Sequence, residues 1–166
     1  MYHAPAFAMD DAEAVHLLGA LLAEVPATLV TVGPNGLCST LLPLTWHPDL
    51  GPLGTLHGHV AKGNPVVRQG HEGECLVVVT GAQGYVTPSW YASKAEHGRV
   101  VPTWDYLTVE AAGRLSLRPD ASWLHDQVVE LTDRHEAGRS EPWAVTDAPE
   151  DHVAAMLRGI VGIEVA

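Results

Sequence analysis

A chain of 166 residues, 46% of them apolar, suits a single domain with a sizeable core and argues against disorder. Its net charge of −11, with only nine Lys and Arg in total, argues against nucleic-acid binding, which needs clustered cations to displace the counterions of phosphates. No run approaches the roughly 20 apolar residues of a membrane helix, and Met1 precedes no signal-like apolar core, so a cytoplasmic protein is expected.

Asp10 followed by Glu13 has the spacing of a capping box, and Ala14, Leu18, Leu21, Leu22 and Val25 recur at helical intervals until Pro26. One amphipathic helix is expected there. Thr28 to Val32 and Leu37 to Leu44 are β-prone runs, and Gly33-Pro34-Asn35-Gly36 between them supplies hairpin turn chemistry. Thr55 to Val60 and Cys75 to Thr80 predict a second strand pair, with a short helical turn over 65–69 between them.

Gly84 to Thr87 and Tyr106 to Ala112 read as further strands, and Gly113 punctuates the chain before another from Arg114 to Leu117. Asp120 caps a helix with Leu124, Val128 and Leu131 on one face. Asp147 and Pro149 open a second, carrying Val153, Met156, Leu157 and Ile160, before a final strand over 163–166. Gly138 to Pro149 reads as the most exposed loop. Many short strands with few helices predict a mainly β (α+β) fold: a split β-barrel of antiparallel strands with peripheral helices, one domain over 1–166, helical from about 120.

Gly84 to Tyr106 gathers two Trp, three Tyr and two Pro in a chain that is 6% aromatic overall. Rings beside Thr, Ser and Lys donors can wall a pocket for a planar anionic ligand, although aromatics near Pro also build ordinary packed turns. His57-Gly58-His59 ends a predicted strand, where a period of two puts both imidazoles on one face and Gly58 permits close approach to the backbone. A single imidazole suffices as an axial heme ligand, whereas a metal held by protein alone needs further ligands that no recognisable spacing supplies. Cys38 and Cys75 are isolated and suggest buried reduced thiols. No Gly-x-Ser-x-Gly or GxGxxG motif occurs, which leaves neither a hydrolase elbow nor a dinucleotide site.

Pro88-Ser89-Trp90-Tyr91 followed by Val101-Pro102-Thr103-Trp104 resembles the paired signature of the PaiB-like, FMN-binding split-barrel family. Gly58 to Pro65 is similar to that family's Gly-His-Val-Ala-Arg-Ala-Asn-Pro motif, with Lys62 for Arg and Gly63 for Ala, and singles out His59 over His57. Met1-Tyr2, Pro5, Phe7, Leu42-Pro43, Glu141-Pro142-Trp143 and Gly162-Ile163-Glu164 extend the resemblance over nearly the whole chain. Asp105 stands where relatives carry Asn, and a Lys-Leu-Ser-Gln-Asn segment that follows in relatives is not part of this sequence.

The resemblance implies three functions: an FMN-binding negative transcriptional regulator, a non-catalytic heme or flavin binding protein, or a heme-dependent piperazate synthase acting on N5-hydroxy-L-ornithine. The synthase is the expectation carried forward, with heme b as cofactor, FMN as its alternative and a hydroxylated amino acid as substrate. His59 would ligate iron. Lys62 or Lys94 would meet a carboxylate, Trp90, Tyr91, Trp104 and Tyr106 would wall the pocket, and a homodimer would hold the cofactor at its interface.

Overall fold

A computed structural model describes residues 9–166; the resemblances at Met1, Tyr2, Pro5 and Phe7 lie outside them. Helix α1 (Asp11–Glu24) starts where the Asp10 carboxylate accepts the Glu13 backbone N–H at 2.8 Å, and it stops before Pro26, whose ring fits no helix interior. Strands β1 (Ala27–Gly33) and β2 (Gly36–Leu42) form the expected hairpin, with Gly33 opposite Gly36 and Gly36 at φ 97°, a conformation open to glycine. Pro43 has no N–H to give a ladder. The expected strand over 37–44 therefore divides there, and β3 (Leu44–His47) leaves toward the opposite edge of the sheet.

The seven strands of the described residues pair antiparallel in the order β2-β1-β5-β6-β7-β4-β3. Strand β4 (Thr55–Ala61) and the segment from Cys75 to Thr80 do not pair, contrary to the sequence expectation. Instead β4 lies between β3 and β7 (Ile160–Val165), while β5 (Gly73–Val86) lies between β1 and β6 (Thr103–Arg118). The short helix α2 (Pro65–Arg68), capped by Asn64, bridges the two halves.

β5 and β6 are single long strands, not the four short ones expected, and a register shift between Thr80 and Gln83 absorbs their irregularity. Gly113 sits inside β6. A Cβ there would meet Val165 Cγ1 at 2.6 Å, so the glycine serves close approach of the chain around β7 and no turn. Helix α5 (Glu150–Leu157) ends before Ile160, which opens β7 in place of extending a helix. Its β-branched run, Ile160, Val161, Ile163 and Val165, is recruited between β6 and β4, a long-range pairing that overrides local periodicity.

The sheet curls around one core formed by Leu29, Leu44, Leu56, Val77, Val79, Leu115 and Ile163. α1 buries Leu18, Leu21 and Leu22 between β3 and β5, where Gly19 admits the Trp46 ring and Gly81 admits Leu21. On the outer face, α4 (Ala121–Glu136) covers β4 and β7, capped by the Asp120 carboxylate at the Trp123 N–H. Gly162 makes room for the Trp123 ring, where a Cβ would come within 2.3 Å. Val128 and Leu131 are half-buried; Leu124 and Gln127 are the buried residues of this helix. Val145, inside the segment expected as an exposed loop, is buried as well, and Asp147 bonds back to the Ala144 N–H. A further helix, α3 (Ser93–His97), lies in the β5–β6 connection.

Candidate functional site

The alternation of β4 places its histidines as the period of two predicts. Leu56 and Val60 enter the core, and His57 and His59 face α4. Gly58 is enclosed by Leu44 and the Pro43 carbonyl, so its backbone approach is spent on packing and not on a ligand. The two imidazoles then take different surroundings.

His57 is buried, 5.0 Å from the Trp123 ring edge-on and 4.1 Å from the His47 ring. Its Nε2 lies 3.3 Å from Glu164 Oε2, without the alignment of a hydrogen bond, while Glu164 Oε1 pairs with Arg118. His47 accepts or donates at Thr45 Oγ1, 3.0 Å away, and lies 3.3 Å from Glu130 on α4. Burial, reinforced by the adjacent His47 and partly offset by Glu164 and Glu130, holds the His57 pKa below its ordinary value.

The sign of the resulting pH effect follows from which state binds the proton first. Unfolded chains protonate this ring at about pH 6.5, the folded chain only below that, so the contribution of neutral His57 is present above about pH 6.5 and is lost as pH falls toward the folded value. Urea midpoints of a His57→Gln variant are expected to fall less steeply on acidification than those of the native chain. Equal slopes would refute this role for His57.

His59 is half-buried, and its Nδ1 lies 2.7 Å from Oε1 of Gln127, a residue only 3% exposed. With the amide oxygen as acceptor, Nδ1 carries the proton and Nε2 keeps its lone pair. That is the donor state required of a metal-ligating imidazole. Among the described residues, no three His, Cys, Asp or Glu side chains converge to hold a metal ion. Lys62, three positions on from His59, is exposed, and its backbone N–H donates to Gly159 O at 2.9 Å.

The aromatic residues are elsewhere. Tyr85 and Trp104 pair directly across β5 and β6 with ring centroids 6.1 Å apart, on an arm where Trp90 is 72%, Trp104 58% and Tyr106 57% exposed. Tyr91 is also exposed, and Lys94 donates to Ser89 Oγ at 3.1 Å. His59 is level with Gly162 and thence Arg118, whereas Tyr106 lies twelve positions up β6 from Arg118, roughly 40 Å of strand at about 3.3 Å per residue. One chain thus brings His59 and Lys62 to one end of the sheet and Trp90, Tyr91, Lys94, Trp104 and Tyr106 to the other. A shallow cleft on the arm is lined by Gln83, Asp105 and Tyr106. Sequence reading missed Gln127, whose signal was a polar residue at helical spacing from Leu124 inside an apolar stripe.

A curled antiparallel sheet with helices on its outer face defines a split β-barrel protein. The chain belongs to the family described as "Putative FMN-binding domain", whose model matches residues 1–166. It is 34% identical to an uncharacterized protein of Emericella nidulans over 68% of this chain and 55% of that one. It is 29% identical to the protease synthase and sporulation protein PAI 2 of Bacillus subtilis, over 83% of this chain and 64% of that protein. The chain thus spans between half and two thirds of the length of these relatives. Its fold is similar to that of the FAD and heme binding protein from Mycobacterium smegmatis, with a TM-score of 0.61, 19% identity, and 91% and 65% of the two chains covered.

Proposed function

We propose that this chain binds heme b through His59 and acts as a piperazate synthase, closing N5-hydroxy-L-ornithine to piperazic acid with loss of water. The observation that carries the heme reading is the 2.7 Å bond of His59 Nδ1 to buried Gln127, which, with the amide oxygen accepting, leaves the lone pair of Nε2 for a metal. The smegmatis neighbour, described as binding both FAD and heme, is consistent with a split barrel admitting either group. FMN, the cofactor in the family's description, is the second reading. A regulator is less favoured, because a net charge of −11 gives DNA little to bind.

Bound heme would supply a Lewis acid to the hydroxylamine oxygen. The balance of the reaction is simple: the α-amine lone pair forms the N–N bond at N5, the N–O bond breaks, and the departing hydroxyl takes the amine proton to leave as water. Gln127 holds the His59 ring in place. Lys62 offers a cation to a propionate or to the substrate carboxylate, as a point charge without the two-pronged grip of Arg.

The aromatic arm would complete the site from a second copy, since within one chain Tyr106 lies twelve positions along β6 from the level of His59. A homodimer that seats Trp90, Trp104 and Tyr106 over the partner's His59 would cover these exposed rings and exclude water. Light scattering on a size-exclusion column is expected to give the mass of a dimer, and Trp104→Lys to give monomer. A native monomer would remove the arm from the site.

Heme titration of the protein tests the cofactor. A Soret band at one heme per chain supports the reading, and a two-banded flavin spectrum on purified protein favours FMN. Incubation of the heme-loaded protein with N5-hydroxy-L-ornithine is expected to yield a cyclic hydrazine. Its absence, with heme bound, would leave a binding protein.

A further inference from the structure

Gln127 is an anomaly of helix α4. It sits on the helix face turned to β4 and β7, beside Leu124 and one turn beyond Trp123, and is 3% exposed. Leu or Met would fill such a position without cost, whereas a buried amide is unfavourable unless its polar atoms are bonded. Only half of this amide is: Oε1 meets His59 Nδ1, and Nε2 has no partner among the described residues. A helix that required only packing here would not carry that unpaired donor.

The two histidines of β4 sharpen the point. Both face α4, but His57 approaches Trp123 and a carboxylate that also binds Arg118, and among the described residues no amide or carbonyl fixes its ring. His59 alone is held by a short bond from a rigid, capped helix. An acceptor at Nδ1 does two things to an imidazole: it selects the Nδ1–H tautomer, and it limits rotation about the ring's own bond to the backbone.

We propose that Gln127 is the positioning residue of the site, fixing the tautomer and orientation of His59 so that Nε2 faces outward as the ligating atom. The inference rests on the reading of His59 as an axial ligand, but its first test does not need heme. A neutral amide oxygen is a modest acceptor. It leaves the imidazole less electron-rich than a carboxylate would, so the residue at 127 also sets how strongly a bound iron is held in its oxidised state.

The experiment is nitrogen NMR of the heme-free protein labelled at histidine, alongside Gln127→Leu, Gln127→Met and Gln127→Glu. The native His59 signals are expected to show a protonated Nδ1 and a bare Nε2. In Gln127→Leu and Gln127→Met the two tautomers are expected to mix, and Gln127→Glu is expected to restore the native one. A native ring protonated at Nε2 and bare at Nδ1 would overturn the proposal, as would a tautomer unchanged in Gln127→Leu.

Heme titration of the same proteins is expected to show affinity lowered about tenfold to a hundredfold in Gln127→Leu, the range for loss of an outer partner of a ligand. Affinity in Gln127→Glu is expected to stay near native, with a more negative reduction potential. A helix residue that merely packs would move neither the tautomer nor the potential. A correct tautomer in a native protein that binds no heme would sink the axial-ligand reading while upholding the role of Gln127 toward His59, so the two failures are separable.

Discussion

His59→Ala is expected to abolish the Soret band of the heme-loaded protein, and its heme affinity is expected to fall by more than the tenfold to hundredfold typical of losing an outer partner. His57, two positions away on the same strand face, is a poor substitute, because it is buried with its Nε2 beside Glu164. The substitution removes a half-buried ring and leaves the Gln127 amide facing a small void, so free imidazole added in solution is expected to restore part of the band. His57→Gln, on the same strand face, is the matched control and should retain it. A band unchanged in His59→Ala would place the iron elsewhere and remove the basis of the proposed chemistry.

Ile163→Ala is expected to destabilise the fold by about 2–5 kcal/mol, the range for deleting a fully buried aliphatic side chain and leaving a cavity. Ile163 is completely buried, opposite Gly58 of β4 on one side and Leu117 of β6 on the other. It touches both halves of the sheet at once. Because single domains are stable by only about 5–15 kcal/mol, a loss of that size should shift the urea midpoint strongly. Ile163→Val, which deletes one methylene, should cost about 0.5–1.5 kcal/mol. A loss below about 1 kcal/mol for the alanine variant would mean that the two halves hold together without this strand.

How much of this was legible in the chain depends on how far apart the interacting residues are. α1 was readable at both ends because its cap and its stop are local: Asp10 reaches only to Glu13, and Pro26 acts on the turn before it. The β1–β2 hairpin was readable for the same reason, through Pro34-Asn35 flanked by two glycines. The partner of β4 was not. Residues 55–60 and 75–80 are both β-prone and separated by one short connection, yet they do not pair: β7 fills the slot beside the first, and β1 and β6 flank the second. Ile160 likewise fits a helix face and a strand equally well on periodicity alone.

The site divides in the same way. That His57 and His59 share a face follows from strand geometry, and the structure agrees; that one is enclosed by His47, Trp123 and Glu164 while the other is held by Gln127 depends on β3, on β7 and on a helix more than sixty residues on. Clustering of aromatic residues over 84–106 was visible at once. Their exposure was not, because a two-residue period cannot tell a strand buried on one face from an arm that projects beyond its own sheet.

The insertion of β7 between β4 and β6 has a kinetic consequence. Gly162 must find His59 and Arg118 across long stretches of chain before the curl can shut, so most of the loop entropy is lost late in folding. Such topologies refold on the order of milliseconds to seconds. Until residues 160–165 dock, the ladders of β4 and β6 stand open to any passing strand, and a chaperone or a truncating protease would meet two sticky edges that β7 covers in the finished sheet, where only β2 and β3 remain outermost.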